Sequence, residues 1–163
     1  MSARWYPTGR RQFPSRDALD VPAITAPVRF DATGTPIVDG LETDHIELNG
    51  DVYMRRFYLQ RSKQMSVRVH HILRSDAGID LHDHPWDFTS YVLKGAYTEI
   101  TPEGETRYEA PCILTRSAES LHRLVLDEGD VWTYVVTGAV RRPWGFQTPT
   151  GWVHWSDYDQ SAR

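Results

Sequence analysis

The sequence predicts an all-β domain, and two observations carry that expectation. From about Asp51 onward, short apolar and aromatic runs alternate with turn-forming clusters, and nowhere is an apolar period of 3.6 residues sustained long enough for a helix. With 163 residues the chain is one domain of ordinary size, large enough to bury a core without disulfides or a structural metal.

In order, the expected strands are Val52 to Gln60, Ser66 to Arg74, Ile79 to His84, Phe88 to Lys94, Ala96 to Thr101, Thr106 to Glu109, Cys112 to Arg116, Leu121 to Leu126 and Val131 to Thr137. The clusters Ser75-Asp76-Ala77-Gly78, Pro102-Glu103-Gly104-Glu105 and Asp127-Glu128-Gly129-Asp130 are turns by composition. Before this meander, residues 1–50 read as an extended arm packed on the barrel, because five of the ten prolines fall in the first 36 residues. Its Arg4, Arg10, Arg11 and Arg16 are interleaved with Trp5, Tyr6 and Phe13. After the meander, the tail of the 51–163 barrel carries Trp144, Trp152 and Trp155. Such a tail is too aromatic to remain in water and is expected to close one mouth of the barrel.

Composition excludes several function classes. A formal charge of −4 argues against a nucleic-acid binder, which needs a basic surplus to neutralise phosphates. Apolar stretches fall far short of the ~20 residues that span a bilayer, and the N-terminal residues lack an apolar signal core, so a cytoplasmic protein is expected. Cys112 stands alone, which rules out an internal disulfide and a thiolate zinc module. It reads as a small core residue. Sixteen of the 18 basic residues are Arg, leaving many planar forks for carboxylate or phosphate.

Seven His are the pointed anomaly. In His82-Asp83-His84-Pro85-Trp86, residues i and i+2 of a strand project from one face about 6–7 Å apart, so two imidazoles can share an ion while Asp83 points away. Pro85 marks a break directly after the second His. A third ligand must come from elsewhere. His122 leads an apolar stripe with Leu124 and Leu126, and is either a core histidine or that ligand. His70 and His71 are adjacent, so only one of them can face inward as an acid–base group. Tyr97 and Glu99 alternate on one strand face and form a candidate proton-transfer pair. Asp87, Ser90 and Glu99 are available to orient the imidazoles. Arg56 and Arg68 are candidates to grip a substrate carboxylate, beside Trp86 as a further substrate contact, with surface ion pairs the competing role for the arginines. His45 and His154 are peripheral.

The spacing resembles that of the cupin superfamily, whose first motif is Gly, a short run, H-x-H, three or four residues, Glu, six residues, Gly, and whose second adds a later His. Gly78, His82, His84, Gly95 and His122 fall at those positions, over roughly residues 52–137. HHILRSD, HDHPWDF, GAYTE and WGF are similar to a bacterial and phage group of cupins with an HDHPW motif. The resemblance implies a cupin-type antiparallel β-barrel (a double-stranded β-helix or jelly roll), one divalent metal and a homodimer. One departure stands out: the family's acidic ligand would fall at Phe88 or Thr89, and Asp87 is one residue early. Two ligand sets stay open, His82, His84 and His122 alone, or these with Asp87. Three His resemble the set of cupin thiol dioxygenases, which favours Fe(II), with Zn, Ni, Mn or Co also compatible. The implied function is a non-heme Fe(II) oxygenase of a small carboxylate-bearing substrate. The alternatives are an O₂-independent metal-assisted isomerase, lyase or cyclase, and a non-catalytic binding barrel.

Overall fold

A computed structural model describes residues 28–48 and 50–159, together with the backbone of two short paired strands, β1 (Arg4–Trp5) and β2 (Arg11–Gln12). The rest of the expected arm, including Tyr6, Arg10, Phe13 and Arg16, lies outside the described residues. The other strands are β3 (Glu42–Leu48), β4 (Asp51–Arg61), β5 (Ser66–Ile72), β6 (Leu81–His82), β7 (Phe88–Lys94), β8 (Ala96–Thr101), β9 (Gly104–Glu109), β10 (Cys112–Arg116), β11 (Arg123–Leu126), β12 (Val131–Thr137), β13 (Gly145–Thr148) and β14 (Gly151–His154). One 3-10 turn, Trp155–Asp157, follows. All pairings are antiparallel, in the orders β10-β7-β12-β5-β4-β3, β11-β8-β9 and β14-β13-β6. The fold is of the expected all-β class, built of antiparallel sheets.

Alternation along the six-stranded sheet sorts its side chains into two apolar layers. Val67, Val69, Tyr91, Leu93, Tyr134 and Val136 face outward and are nevertheless buried, because Val28, Phe30 and Val38 pack over them. Ile72, Phe88, Val92, Leu114, Val131 and Val135 face the barrel interior, where they meet Tyr97 of β8 and Leu124 and Leu126 of β11. A sheet apolar on both faces reads as unbroken hydrophobic runs, as in Val131–Thr137, all seven residues of which are buried.

Three differences from the sequence reading bear on the site. β3 lies inside the segment read as an arm, yet it is the edge strand of the large sheet, pairing along β4. Its ETDHIEL alternates weakly and leaves its outer residues exposed, so it lacked the apolar signature of its neighbours. The strand expected over Ile79 to His84 is regular only at Leu81–His82, with Ile79 exposed. The Trp-rich tail is a hairpin, β13–β14, which pairs with β6 through Phe146↔His82.

Gly95 joins β7 to β8 at φ +83°, and a Cβ there would stand 2.5 Å from the Asp130 carbonyl oxygen. Both the left-handed backbone and the contact exclude a side chain. Gly95→Ala is expected to destabilise the protein by about 2 kcal/mol or more, read as a lowered urea midpoint at unchanged slope; a midpoint within error of wild type overturns this.

Candidate metal centre

β6 is held from both sides. Its His82 N–H and C=O exchange hydrogen bonds of 2.8 and 2.9 Å with His122, and its other edge pairs with β13. Pro85 cannot extend the ladder, and the His84 N–H instead donates to the Ala118 carbonyl at 2.9 Å. Asp83 points away from the two imidazoles, as strand alternation requires, and is buried. It accepts from Gly145 N (2.7 Å), Arg142 Nη1 (2.6 Å) and Trp152 Nε1 (2.9 Å). The H-x-H segment is thereby clamped to the C-terminal hairpin by the residue between its two histidines.

His82, His84 and His122 come together as a group, one ring nitrogen from each lying within 4.8 Å of the others. Their ring centroids are 4.8–5.1 Å apart, and the Nε2 atoms of His84 and His122 approach to 2.8 Å. The His122 Nδ1–H donates to Glu99 Oε1 at 2.6 Å, which fixes the tautomer and turns the Nε2 lone pair toward the other two rings. Glu99 is fully buried and is held in turn by Arg116 through Nε (3.2 Å) and Nη2. Arg116 Nη2 also donates to the Tyr108 hydroxyl at 2.9 Å. On the other side, Asp76 Oδ2 stands 3.7 Å from His82 Nδ1. Asp76 accepts from the Tyr53 hydroxyl and from Leu124 N at 2.7 Å.

Burial favours the neutral form of His82 and His84. Burial lowers the His82 pKa to about 4 against the opposing pull of Asp76. Burial, followed by the neighbouring His82 and His122, carries His84 well below its ordinary value. Burial works to raise Glu99, but its hydrogen bonds from His122 and Arg116 prevail and hold it ionised. Three imidazoles with converging ring nitrogens, one backed by an ionised carboxylate, are a donor set that fits a divalent metal.

The cluster borders a cavity of about 320 Å³ lined by Met54, Arg56, Arg68, His70, Trp86 and Trp144 beside His82 and His84. A smaller inner cavity of about 90 Å³ shares His70, His82 and His84 and reaches His122, Ser90 and Tyr97. Of the adjacent pair, His70 faces inward. Burial, with Arg68 and Arg56 nearby, keeps its pKa well below the ordinary value, and its Nε2 has no hydrogen-bond partner.

Four readings left open by the sequence are decided by the structure. His71 faces outward, bonded through Nε2 to Asp130 and stacked on Trp132 at 3.9 Å, so it lines neither cavity. Asp87 is exposed and accepts from Ala118 N (2.7 Å) and Arg141 Nη2 (2.7 Å). No bulge re-aims it, and it lies outside the imidazole group. Glu99 shares the inward face of β8 with Tyr97, but its oxygens are engaged by His122 and Arg116, so it orients an imidazole and is no proton-transfer partner of Tyr97. Arg56 and Arg68 both line the cavity, as expected of substrate contacts, although Arg56 is also ion-paired with half-exposed Asp44. Sequence reading missed Asp76, which sat in a segment legible only as a turn, and Arg116, which carried no motif.

No protein-family model and no curated protein matches the chain. Solved structures do. A cupin 2 conserved barrel domain protein from Rhodopseudomonas palustris superposes with a TM-score of 0.59 at 13% identity, over 76% of this chain and 88% of that one. The polyketide cyclase RemF from Streptomyces resistomycificus gives 0.55 at 14%, over 66% and 80%. The Fe(II) form of HppE gives 0.52 at 14%, over 68% and 63%. At these identities the likeness establishes the fold.

Proposed function

We propose that this cupin-fold chain is a mononuclear metal-dependent enzyme, a non-heme Fe(II) oxygenase acting on a small, polar, carboxylate-bearing substrate. The observation that carries the proposal is the convergence of His82, His84 and His122, the first two of which line a cavity that also holds two arginines. The similarity to Fe(II) HppE supports iron, and a neutral three-nitrogen ligand set leaves the ion's charge to attract an anion. Bound there, a divalent ion would acidify a substrate heteroatom and, as Fe(II), furnish electrons to O₂.

The chain's own residues do the rest. Glu99 fixes the rotation of His122, and Asp76 places a carboxylate 3.7 Å from His82 Nδ1. Trp86, Trp144 and Phe146 exclude water from the reacting groups and give the substrate body an apolar wall. Tyr97, whose pKa burial raises far above the ordinary value, stays a phenol at neutral pH and does not serve as a phenolate base.

A second reading, an O₂-independent lyase, isomerase or cyclase, is favoured by one observation. His70 is neutral, lines the cavity and has a free Nε2, which suits it to take a proton from a substrate carbon or hydroxyl. The likeness to RemF agrees with this reading. Oxygen consumption separates the two. The protein loaded anaerobically with Fe(II) is expected to consume O₂ stoichiometrically with loss of an amino-acid, thiol or oxo-acid substrate. Turnover of such a substrate under argon at an undiminished rate, abolished by His70→Gln, overturns the oxygenase in favour of the second reading.

A further inference from the structure

The two arginines of the cavity are not electrostatically equivalent. Arg56 is closed on Asp44 by two bonds, Nε to Oδ1 at 2.6 Å and Nη2 to Oδ2 at 3.0 Å, and the Tyr58 hydroxyl donates to the same carboxylate at 2.9 Å. That pair is already neutral overall. Arg68, opposite Tyr58 on the neighbouring strand, is only 6% exposed. Among the described residues no carboxylate lies within ion-pair distance of it. Its Nε is buried without a hydrogen-bond partner. Its guanidinium lies over the Trp86 ring at 5.1 Å and beside the Tyr58 ring at 5.8 Å.

A buried guanidinium without a counter-charge is costly to fold around. Ring contacts and a polar contact with Tyr58 compensate part of that cost, but they leave its Nε without a partner. His70, two residues on along the same inward face, adds a second buried nitrogen with no partner. Both residues line one cavity, and the remaining wall is largely apolar and aromatic.

We propose that Arg68 is the receptor for the single negative charge of the ligand, a small monocarboxylic acid with a planar or apolar body. The carboxylate lies on the Arg68 fork within reach of His70, the body runs along Trp86 and Trp144, and the far end faces the three imidazoles. Arg56 shapes the wall and holds Tyr58 through Asp44 without supplying net charge. A dianion such as a phosphate monoester would leave one of its charges uncompensated by this single free cation. This assignment rests on the reading of the cavity as a substrate site, but it does not require metal to be bound, so it is testable on the metal-free chain.

The probes are benzoate, its neutral isostere benzamide and the dianion phenyl phosphate, titrated against EDTA-treated protein with tryptophan fluorescence and calorimetry as readouts. Benzoate is expected to bind at least tenfold more tightly than either of the others. Arg68→Met is expected to lose that preference at unchanged Zn(II) stoichiometry, and Arg68→Lys, which keeps the charge but not the fork, to fall between. Equal affinity for benzoate and benzamide, absence of benzoate binding, or a wild-type preference in Arg68→Met overturns the assignment. The wild-type comparison decides it even if Arg68→Met does not fold. Loss of metal binding with benzoate preference intact would instead overturn the metal centre alone.

Discussion

His122→Ala abolishes stoichiometric binding of a divalent ion, and Glu99→Gln weakens it by about 10–100-fold; these are the expected results of titrating Zn(II) or Co(II) into the two variants. The first removes one of three donors that lie within 4.8 Å of one another. The second leaves all three in place and changes only what holds His122, because an amide in place of the carboxylate no longer draws the Nδ1 proton with a full charge. Glu99→Gln also leaves Arg116 without its buried counter-ion, so some loss of stability accompanies it, and affinity is measured at a temperature where circular dichroism shows both variants folded. Asp87→Asn serves as the control, since Asp87 bonds Arg141 at the surface. Undiminished affinity in Glu99→Gln would mean that the carboxylate is a structural partner of Arg116 and nothing more, and stoichiometric metal in His122→Ala would displace the centre to other residues.

The metal-free protein is expected to lose stability steeply on mild acidification. In the unfolded chain the imidazoles titrate near pH 6.5, while in the folded state His82 titrates at about 4 and His84 and His70 well below their ordinary value. The unfolded state therefore binds more protons below pH 6.5, and stability falls as pH falls through the window from 6.5 toward 4. Each such histidine contributes about 1 kcal/mol between pH 6.5 and 5.5, so the three together remove about 3 kcal/mol, a large part of the 5–15 kcal/mol of an ordinary domain. Urea unfolding in EDTA at pH 7.5, 6.5 and 5.5 measures this directly. A flat profile over that range would show that the rings are protonated or solvated in the native state. Saturating metal holds the rings deprotonated in the folded protein alone, so it adds stability at neutral pH and makes the acid limb steeper still.

Much of the site could be read from local pattern. The H-x-H pair needs only strand alternation over three residues, and Gly95 and the apolar stripe behind His122 supply the spacing that relates the two ligand segments. Several strands, including Phe88–Lys94 and Cys112–Arg116, coincide with their expected limits because both ends carry turn residues. What stayed hidden depends on pairing between distant segments. Asp76 matters because Leu124, 48 residues away, donates to it, and Arg116 because β10 delivers it to Glu99 of another sheet. The inequality of Arg56 and Arg68 depends on Asp44 in β3, a strand too polar to stand out. The outward turn of Asp87 was likewise undecided in the sequence, since a bulge at Pro85 would have reversed it.

The reciprocal backbone bridge between His82 and His122 has a kinetic consequence. His84 and His122 are separated by 38 residues of chain, spanning β7 to β10, and no short segment contains the whole donor set. The ring of nitrogens therefore closes only when the returning chain has been zipped against β6, a non-local pairing whose loop entropy must be met first. The order in which these segments dock becomes visible in an optical signal: Co(II) added during refolding reports the moment that this one loop closes, as a d–d absorption band that rises with the closure rate and not with collapse of the surrounding sheets.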